Sequence, residues 1–451
     1  MKSKYDLSIA VLNVINSDKK FAMNKDLNGG FGTTDSYSST IFEKIINTVK
    51  RKSINIPVLS LASLMGIFRY REINAEYCEG TLPDKEKDII LIYGSIVDYK
   101  NENNTCRLLK KKFKNSYIGF IGPFPSIKPE LFDSGDFVII GDFEYYFLKV
   151  FNEKSQLKGK ILVENKINLD ELPQLYLKGF PIKKYSYYPA ITKKPFFTLK
   201  SSRGCPYNCS YYCVYGKFQG SEVNIRSPKK LVEDMIYLNH NYNIKGFQFR
   251  DPTFGIKKGY IEEFCNELKK SKLNVHWGIE TRLDLLDEKK IKLMYESGLR
   301  NINVGIESIS LEVTKKNKRL LGDLKKQTLL IKYCENMGVK ISAFYILGYE
   351  SDTKESIKAT LDYAIKLNTF LARFAVFTPY PGTDFFEDLK KQDKILTYDY
   401  ERYTQFNLIF KHKNFDNKEL QKMLSEAYRR YYFRLGYFIK ILKWKIREFW
   451  L

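Results

Sequence analysis

Histidine is nearly absent from this chain. Three occur in 451 residues, His240, His276 and His412, so the first 239 positions hold none. That excludes an imidazole-built metal centre from the amino-terminal half. Cysteine is sparse as well, with seven in all, too few for a disulfide framework in a chain this long. No uninterrupted apolar run approaches the ~20 residues that cross a bilayer. The early run Leu7–Ile15 follows Asp6 and lacks a small-residue cleavage site. It is therefore expected to be a first strand rather than a secretory leader, in a reducing, cytoplasmic setting.

What is present describes a soluble globular protein, 44% hydrophobic and 15% aromatic, long enough for two cores and a tail. The net charge of +23 arises from 75 basic against 52 acidic residues. Such a balance suits nucleic acid, an anionic membrane surface or an acidic protein partner. Most of the excess is lysine spread over ordinary helix faces, and no nucleic-acid module is recognisable, so the expectation is no nucleic acid.

The cysteines are clustered where they matter. Cys205-Pro206-Tyr207-Asn208-Cys209-Ser210-Tyr211-Tyr212-Cys213 puts three thiols in nine residues. Pro206 and Asn208 are turn formers, so the segment reads as a tight loop following the apolar run Pro195–Leu199. Free cysteines often serve as small core residues. Three beside Pro and Asn at a strand end instead suit a metal cluster with one coordination position left open.

The fold class is α/β. Over residues 1–150 strand-like runs recur at Leu7–Val14, Ile56–Leu61, Asp88–Tyr93, Tyr117–Ile121 and Phe137–Ile140, with helical spacing over Ser39–Lys52. This predicts a doubly wound, Rossmann-like domain that binds its ligand at the carboxyl ends of the strands. The glycine-bearing loops there contain Gly30, Gly94, Gly122, and Gly141 with Glu144. Any one of them reads as a turn; four on one face point to a binding domain. Residues 151–194 are expected to be a Lys-rich, Pro-punctuated linker. Residues 195–390 show six further strand–helix units, from Phe196–Ser202 to Ala372–Thr378, which predict a partial TIM-like barrel. The remaining residues, 391–451, are expected to form a helical tail. Its last helix, Tyr437–Trp450, mixes aromatic, apolar and basic residues. It can lie on a membrane surface as a peripheral contact or pack over the barrel, and its ordinary length puts packing first.

Together, Cys205–Cys213, Asp251-Pro252-Thr253-Phe254, Gly305-Ile306-Glu307-Ser308 and Pro379-Tyr380-Pro381-Gly382-Thr383 resemble the radical S-adenosylmethionine (SAM) superfamily. The amino-terminal domain resembles the cobalamin-binding domain that precedes the barrel in one large subfamily. The resemblance implies a 4Fe-4S cluster on Cys205, Cys209 and Cys213, with one iron open to SAM. Reductive cleavage of SAM would yield a 5′-deoxyadenosyl radical, a chemistry that belongs to the cofactor. The resemblance also implies a ribose-contacting Glu307, third-strand positions at Glu280 and Arg282, with Arg282 able to pair with the SAM carboxylate, and an aromatic near the cluster at Tyr212. For Glu280 a structural strand-end ion pair is an equal alternative.

Two departures stand out. The family usually has two residues between its second and third cysteines; this chain has three. The Asp-x-His-x-x-Gly signature that supplies an axial histidine to cobalamin is missing, as it is in many radical methylases of the subfamily. The implied activity is a cobalamin-dependent methyltransferase acting on an unactivated carbon. A radical rearrangement, cyclisation or oxidation is the alternative, and a scaffold without a cluster is the alternative of another class. Expected partners are a small-molecule or peptide substrate and an acidic flavodoxin or ferredoxin as electron donor, with the chain a monomer.

Overall fold

The computed structural model describes residues 7–15, 23–34, 53–319 and 322–450. The helix expected over Ser39–Lys52 lies outside them. Two six-stranded parallel sheets organise the rest. The first is built from β1 (Ser8–Asn13), β2 (Asn74–Glu79), β3 (Ile89–Tyr93), β4 (Tyr117–Ile121), β5 (Phe137–Gly141) and β6 (Gly159–Val163). Their order is β2-β1-β3-β4-β5-β6, a doubly wound arrangement whose order reverses between β1 and β3. β1 and β3 are buried almost throughout, as strands covered on both faces must be.

Three expectations need correction here. Ile56–Leu61 is not a strand: only Ile54–Asn55 pair, and helix α1 (Leu59–Tyr70) starts soon after Pro57. Residues Leu61 to Phe68 of α1 are all buried, so the helix shows no polar face and its sequence has the look of a buried strand. β2 went unseen because Asn74-Ala75-Glu76-Tyr77-Cys78-Glu79 is polar, as an edge strand can be. Finally, β6 pairs with β5 from Gly159 to Val163, so the first sheet continues into the stretch expected to be linker.

The second sheet comprises β7 (Phe196–Leu199), β8 (Gly246–Phe249), β9 (His276–Glu280), β10 (Leu299–Glu307), β11 (Lys340–Leu347) and β12 (Leu371–Val376), paired in sequence order. Between them run α3 (Pro228–Tyr242), α4 (Tyr260–Lys270), α5 (Glu288–Glu296), α6 (Leu324–Met337) and α7 (Lys354–Leu367), after α2 (Tyr99–Lys112) of the first domain. β7 and β12 are the two ends of that order, so the barrel is partial. Helices α8 (Asn417–Tyr432) and α9 (Leu435–Trp450) close the chain, and α8 packs on β12 through Tyr428 and Phe374, whose rings are 5.4 Å apart.

Strand β9 opens on His276 at the amino-terminal end of the barrel. Burial first, then Lys193, Arg300 and Lys340, depress its pKa from 6.5 to about 3. The imidazole is therefore neutral in the folded protein, whereas the unfolded chain protonates it below its ordinary value. Between those two values the unfolded state holds the extra proton, so stability falls as pH drops. His276→Asn is expected to flatten this decline. The urea midpoint of the variant should drop less than that of the wild type between about pH 7.5 and about pH 5; parallel curves would refute the assignment.

Candidate functional site

The cysteine loop is held by the strand ends on either side of it. Just past β7, the Ser201 amide, the Ser201 hydroxyl and the Ser202 hydroxyl all donate to Asp251 Oδ1, at 2.9, 2.7 and 2.8 Å. Asp251, just beyond β8, is fully buried. Gly204 has φ +90°, and a Cβ there would collide with the Glu222 carbonyl oxygen, so only glycine lets the two segments approach. Its amide donates to Gln219 Oε1 at 3.2 Å, and the Cys205 amide to Gly220 O at 3.0 Å.

The extra residue between the second and third cysteines is taken up by a turn. Asn208–Tyr211 form one turn of 3-10 helix, and the Cys213 amide donates to Cys209 O at 3.0 Å. Closing one helical turn brings residues four apart to the same side. The three thiols fall within electrostatic reach of one another. The Cys209 thiol is pushed up to about 11, by burial first and by the Glu307 carboxylate second. Burial, then the neighbouring Cys209, pushes Cys213 up as well. Both are neutral thiols until a metal displaces their protons. Among the described residues, no three thiol, imidazole or carboxylate groups stand close enough to grip a single ion. The donors to a multi-iron cluster are spread over different irons, so such a cluster does not require the three thiols to converge on one point. Cys265 and Cys334 are fully buried in α4 and α6, and Cys78 and Cys106 are buried in the first domain.

Facing the loop is Glu307, the last residue of β10. It has φ +66°, and the register between β10 and β11 slips between Gly305 and Glu307. A non-glycine residue in that conformation stores strain, as functional sites often do. Its Oε1 pairs with Arg319 at 2.9 Å, while Oε2 accepts from Tyr212 at 2.5 Å and Tyr349 at 3.0 Å. Tyr212 thus joins the carboxylate to the cysteine loop directly. Arg282 donates twice to Asp284, at 3.0 and 2.8 Å, and lies 4.1 Å over the Tyr207 ring within the loop. Glu280 is ion-paired with the buried Arg250 and accepts from Asn303 Nδ2 at 3.1 Å, the structural alternative for that residue.

A cavity of about 640 Å³ lies between the first sheet and the barrel. Gly30, Tyr93, Gly141 and Glu144 line it from one side; Lys200, Arg203 and Gln219 line it from the other. Gly94 and Gly122, expected from the sequence to contact a ligand, lie behind it instead. A Cβ on Gly94 would strike Pro125 and Phe132, and one on Gly122 would meet Gly94 O, so both glycines serve close packing. The lining is charged. Burial pushes the Asp26 carboxyl up against the opposing pull of Lys200 and Arg250, and burial pushes the Lys200 amine down. Glu144 pairs with Arg203, which also lies 3.5 Å from Asp142. Asp26 Oδ2 and Glu144 Oε1 are buried without a hydrogen-bond partner, so each has an acceptor to offer a ligand. The cavity lies beside the cysteine loop: Gln219, which lines it, accepts from the Gly204 amide at 3.2 Å, and a Cβ on Gly29, also in the lining, would stand 3.1 Å from Val214, the residue after Cys213.

Sequence reasoning missed Arg319, Asp26 and Lys200. Lys200 carried a usable signal, because it directly follows a barrel strand. Arg319 carried none, since it lies twelve residues beyond its partner in a connection without a motif.

Comparison with known proteins bears on the family and the fold. Residues 199–364 match the Radical SAM superfamily. An uncharacterized methyltransferase of Pyrococcus horikoshii is 27% identical over 373 residues, covering 79% of this chain and 81% of that protein. The anaerobic magnesium-protoporphyrin IX monomethyl ester cyclase of Rubrivivax gelatinosus is 33% identical over 253 residues, covering 55% of this chain but 44% of the cyclase. The chain thus spans less than half the length of that relative. Among solved structures, the radical SAM methyltransferase TsrM from Kitasatospora setae superposes with a TM-score of 0.63 at 13% identity, covering 85% of this chain and 76% of TsrM. The cobalamin-dependent radical enzyme OxsB superposes with a TM-score of 0.62 at 14% identity, covering 97% of this chain and 68% of OxsB. At these identities both superpositions establish the fold.

Proposed function

Because its barrel belongs to the radical SAM superfamily, and the chain is therefore an enzyme, we propose that it is a cobalamin-dependent methyltransferase acting on an unactivated carbon. The observation that carries this reading is the charged cavity at the carboxyl ends of the first sheet, which lies beside the cysteine loop through Gly29 and Gln219. A cluster on Cys205, Cys209 and Cys213 would supply one electron to the sulfonium of SAM. Cobalamin in the cavity would supply a transferable methyl group, and its peripheral amides are donors that suit the orphaned Asp26 Oδ2 and Glu144 Oε1. No histidine precedes His240, so the first domain offers the cobalt no imidazole.

The chain's own residues have separable tasks. Asp251 and Gly204 fix the loop, Glu307 and Arg282 offer a carboxylate and a cation to SAM, and Arg319 with Tyr212 and Tyr349 orients Glu307. The basic surface suits an acidic electron donor, whose docking should weaken with salt.

The test is anaerobic incubation of reconstituted protein with reductant, hydroxocobalamin and methyl-labelled SAM. The expected products are 5′-deoxyadenosine and, with substrate, label on carbon. Absence of 5′-deoxyadenosine would count against radical chemistry. The cyclase similarity favours a second reading, ring formation or oxidation without methyl transfer. It predicts 5′-deoxyadenosine with no label in the product.

A further inference from the structure

Helix α9 has one face that the fold accounts for and one that it does not. On the inner face the Tyr437 hydroxyl donates to Phe370 O at 3.0 Å, and the Trp444 ring meets Phe370 at 5.2 Å. Lys440 pairs with Glu335 at 2.5 Å, and Arg447 donates to the carbonyls of Asn336 and Met337 at 3.1 and 2.8 Å. These contacts fix the rotation of the helix. On its other side Leu435, Phe438, Ile439, Leu442 and Ile446 are between 46% and 76% exposed. At 3.6 residues per turn they form one stripe roughly 100° wide, centred opposite Trp444. Lys443 and Lys445, both exposed, stand on its two edges. From Leu435 to Arg447 the sequence has four basic residues and no acidic one.

We infer that this face of α9 docks the enzyme on an anionic lipid bilayer, with the stripe at the acyl boundary and Lys443 and Lys445 on acidic headgroups. An apolar band edged by lysines on both sides is the pattern of a helix lying in the membrane plane. Its 16 residues span about 24 Å, short of the ~30 Å hydrocarbon core. No helix among the described residues is long and apolar enough to cross a membrane, so α9 lies on the bilayer rather than through it. The net charge of +23 argues for this occupant over a second copy of the chain, which it repels, and is attracted to an acidic surface. The inner face stays clamped to the barrel, so docking needs no unfolding of the helix.

The experiment is sedimentation of the full chain with vesicles of phosphatidylcholine alone or mixed with phosphatidylglycerol. The protein is expected to pellet with the mixed vesicles and stay in solution with the neutral ones. Lys443→Glu combined with Lys445→Glu alters exposed positions that the fold does not need. Losing two basic contacts should weaken binding about 30-fold, and reversing their charge should weaken it further. Leu442→Ser with Ile446→Ser should abolish pelleting while the thermal midpoint is retained. Three results would overturn the inference: no pelleting with acidic vesicles, equal pelleting with neutral ones, or binding indifferent to the lysine reversal. A concentration-dependent dimer in light scattering that Leu442→Ser dissolves would overturn it too, by showing that a second copy covers the stripe.

Discussion

Cys213→Ala is expected to abolish iron–sulfur assembly, whereas Cys265→Ala and Cys334→Ala leave iron content unchanged. The contrast follows from placement. Cys213 is tied by its amide to Cys209 O at 3.0 Å and lies within electrostatic reach of both other loop thiols and Glu307. Cys265 is fully buried in α4, where its sulfur meets the Ser297 hydroxyl at 3.4 Å, and Cys334 is fully buried in α6. Losing a direct ligand should exceed the about 10–100-fold that loss of an outer-shell partner costs a metal site. Iron and acid-labile sulfide after anaerobic reconstitution measure this, with near-ultraviolet dichroism as the control for folding. Full iron in Cys213→Ala would show that the four-residue spacing is not a ligand spacing. Iron absent from the wild type as well would favour a scaffold.

Much of this architecture was legible because the strands announce themselves. Tyr117–Ile121 is observed with the bounds its apolar run predicts, and Asp88–Tyr93 is observed from Ile89 onward. The cysteine loop and Glu307 both stand at strand ends, as the barrel reading places them, because strand-end positions in a parallel barrel face one side. What stayed hidden depends on pairings that no local pattern carries. Helix α1 is buried all round from Leu61 to Phe68, so those residues show no helical period. Gly94 and Gly122 look like ligand-approach glycines, yet the neighbours that demand them, Pro125, Phe132 and Tyr93, were not foreseeable from spacing. The spacing of the last helix left two readings, and the structure shows that the basic and aromatic residues divide between its faces. Trp444 and Lys440 turn inward, while Lys443 and Lys445 turn out.

The second large effect is expected at Arg319. Its side chain is 16% exposed, that of Glu307 14%, and the two meet at 2.9 Å. Arg319→Met leaves a largely buried carboxylate with its counter-charge removed, a change that typically costs about 3–5 kcal/mol. Tyr212 and Tyr349 still donate to Glu307 Oε2, which should hold the loss toward the lower end of that range. Glu307→Gln keeps an oxygen acceptor for the tyrosines but strands the Arg319 charge, so it too should destabilise. The double variant removes both charges and is expected to be more stable than the sum of the single effects predicts, by about 1 kcal/mol or more. Urea unfolding of the four proteins yields this coupling. Equilibrium dialysis with SAM separates the structural role from the binding role. On the proposed role of Glu307 as the ribose contact, binding should be lost in Glu307→Gln and in the double variant alike, with Arg319 acting by holding the carboxylate. Retained binding in Glu307→Gln would confine this carboxylate to bracing the cysteine loop through Tyr212.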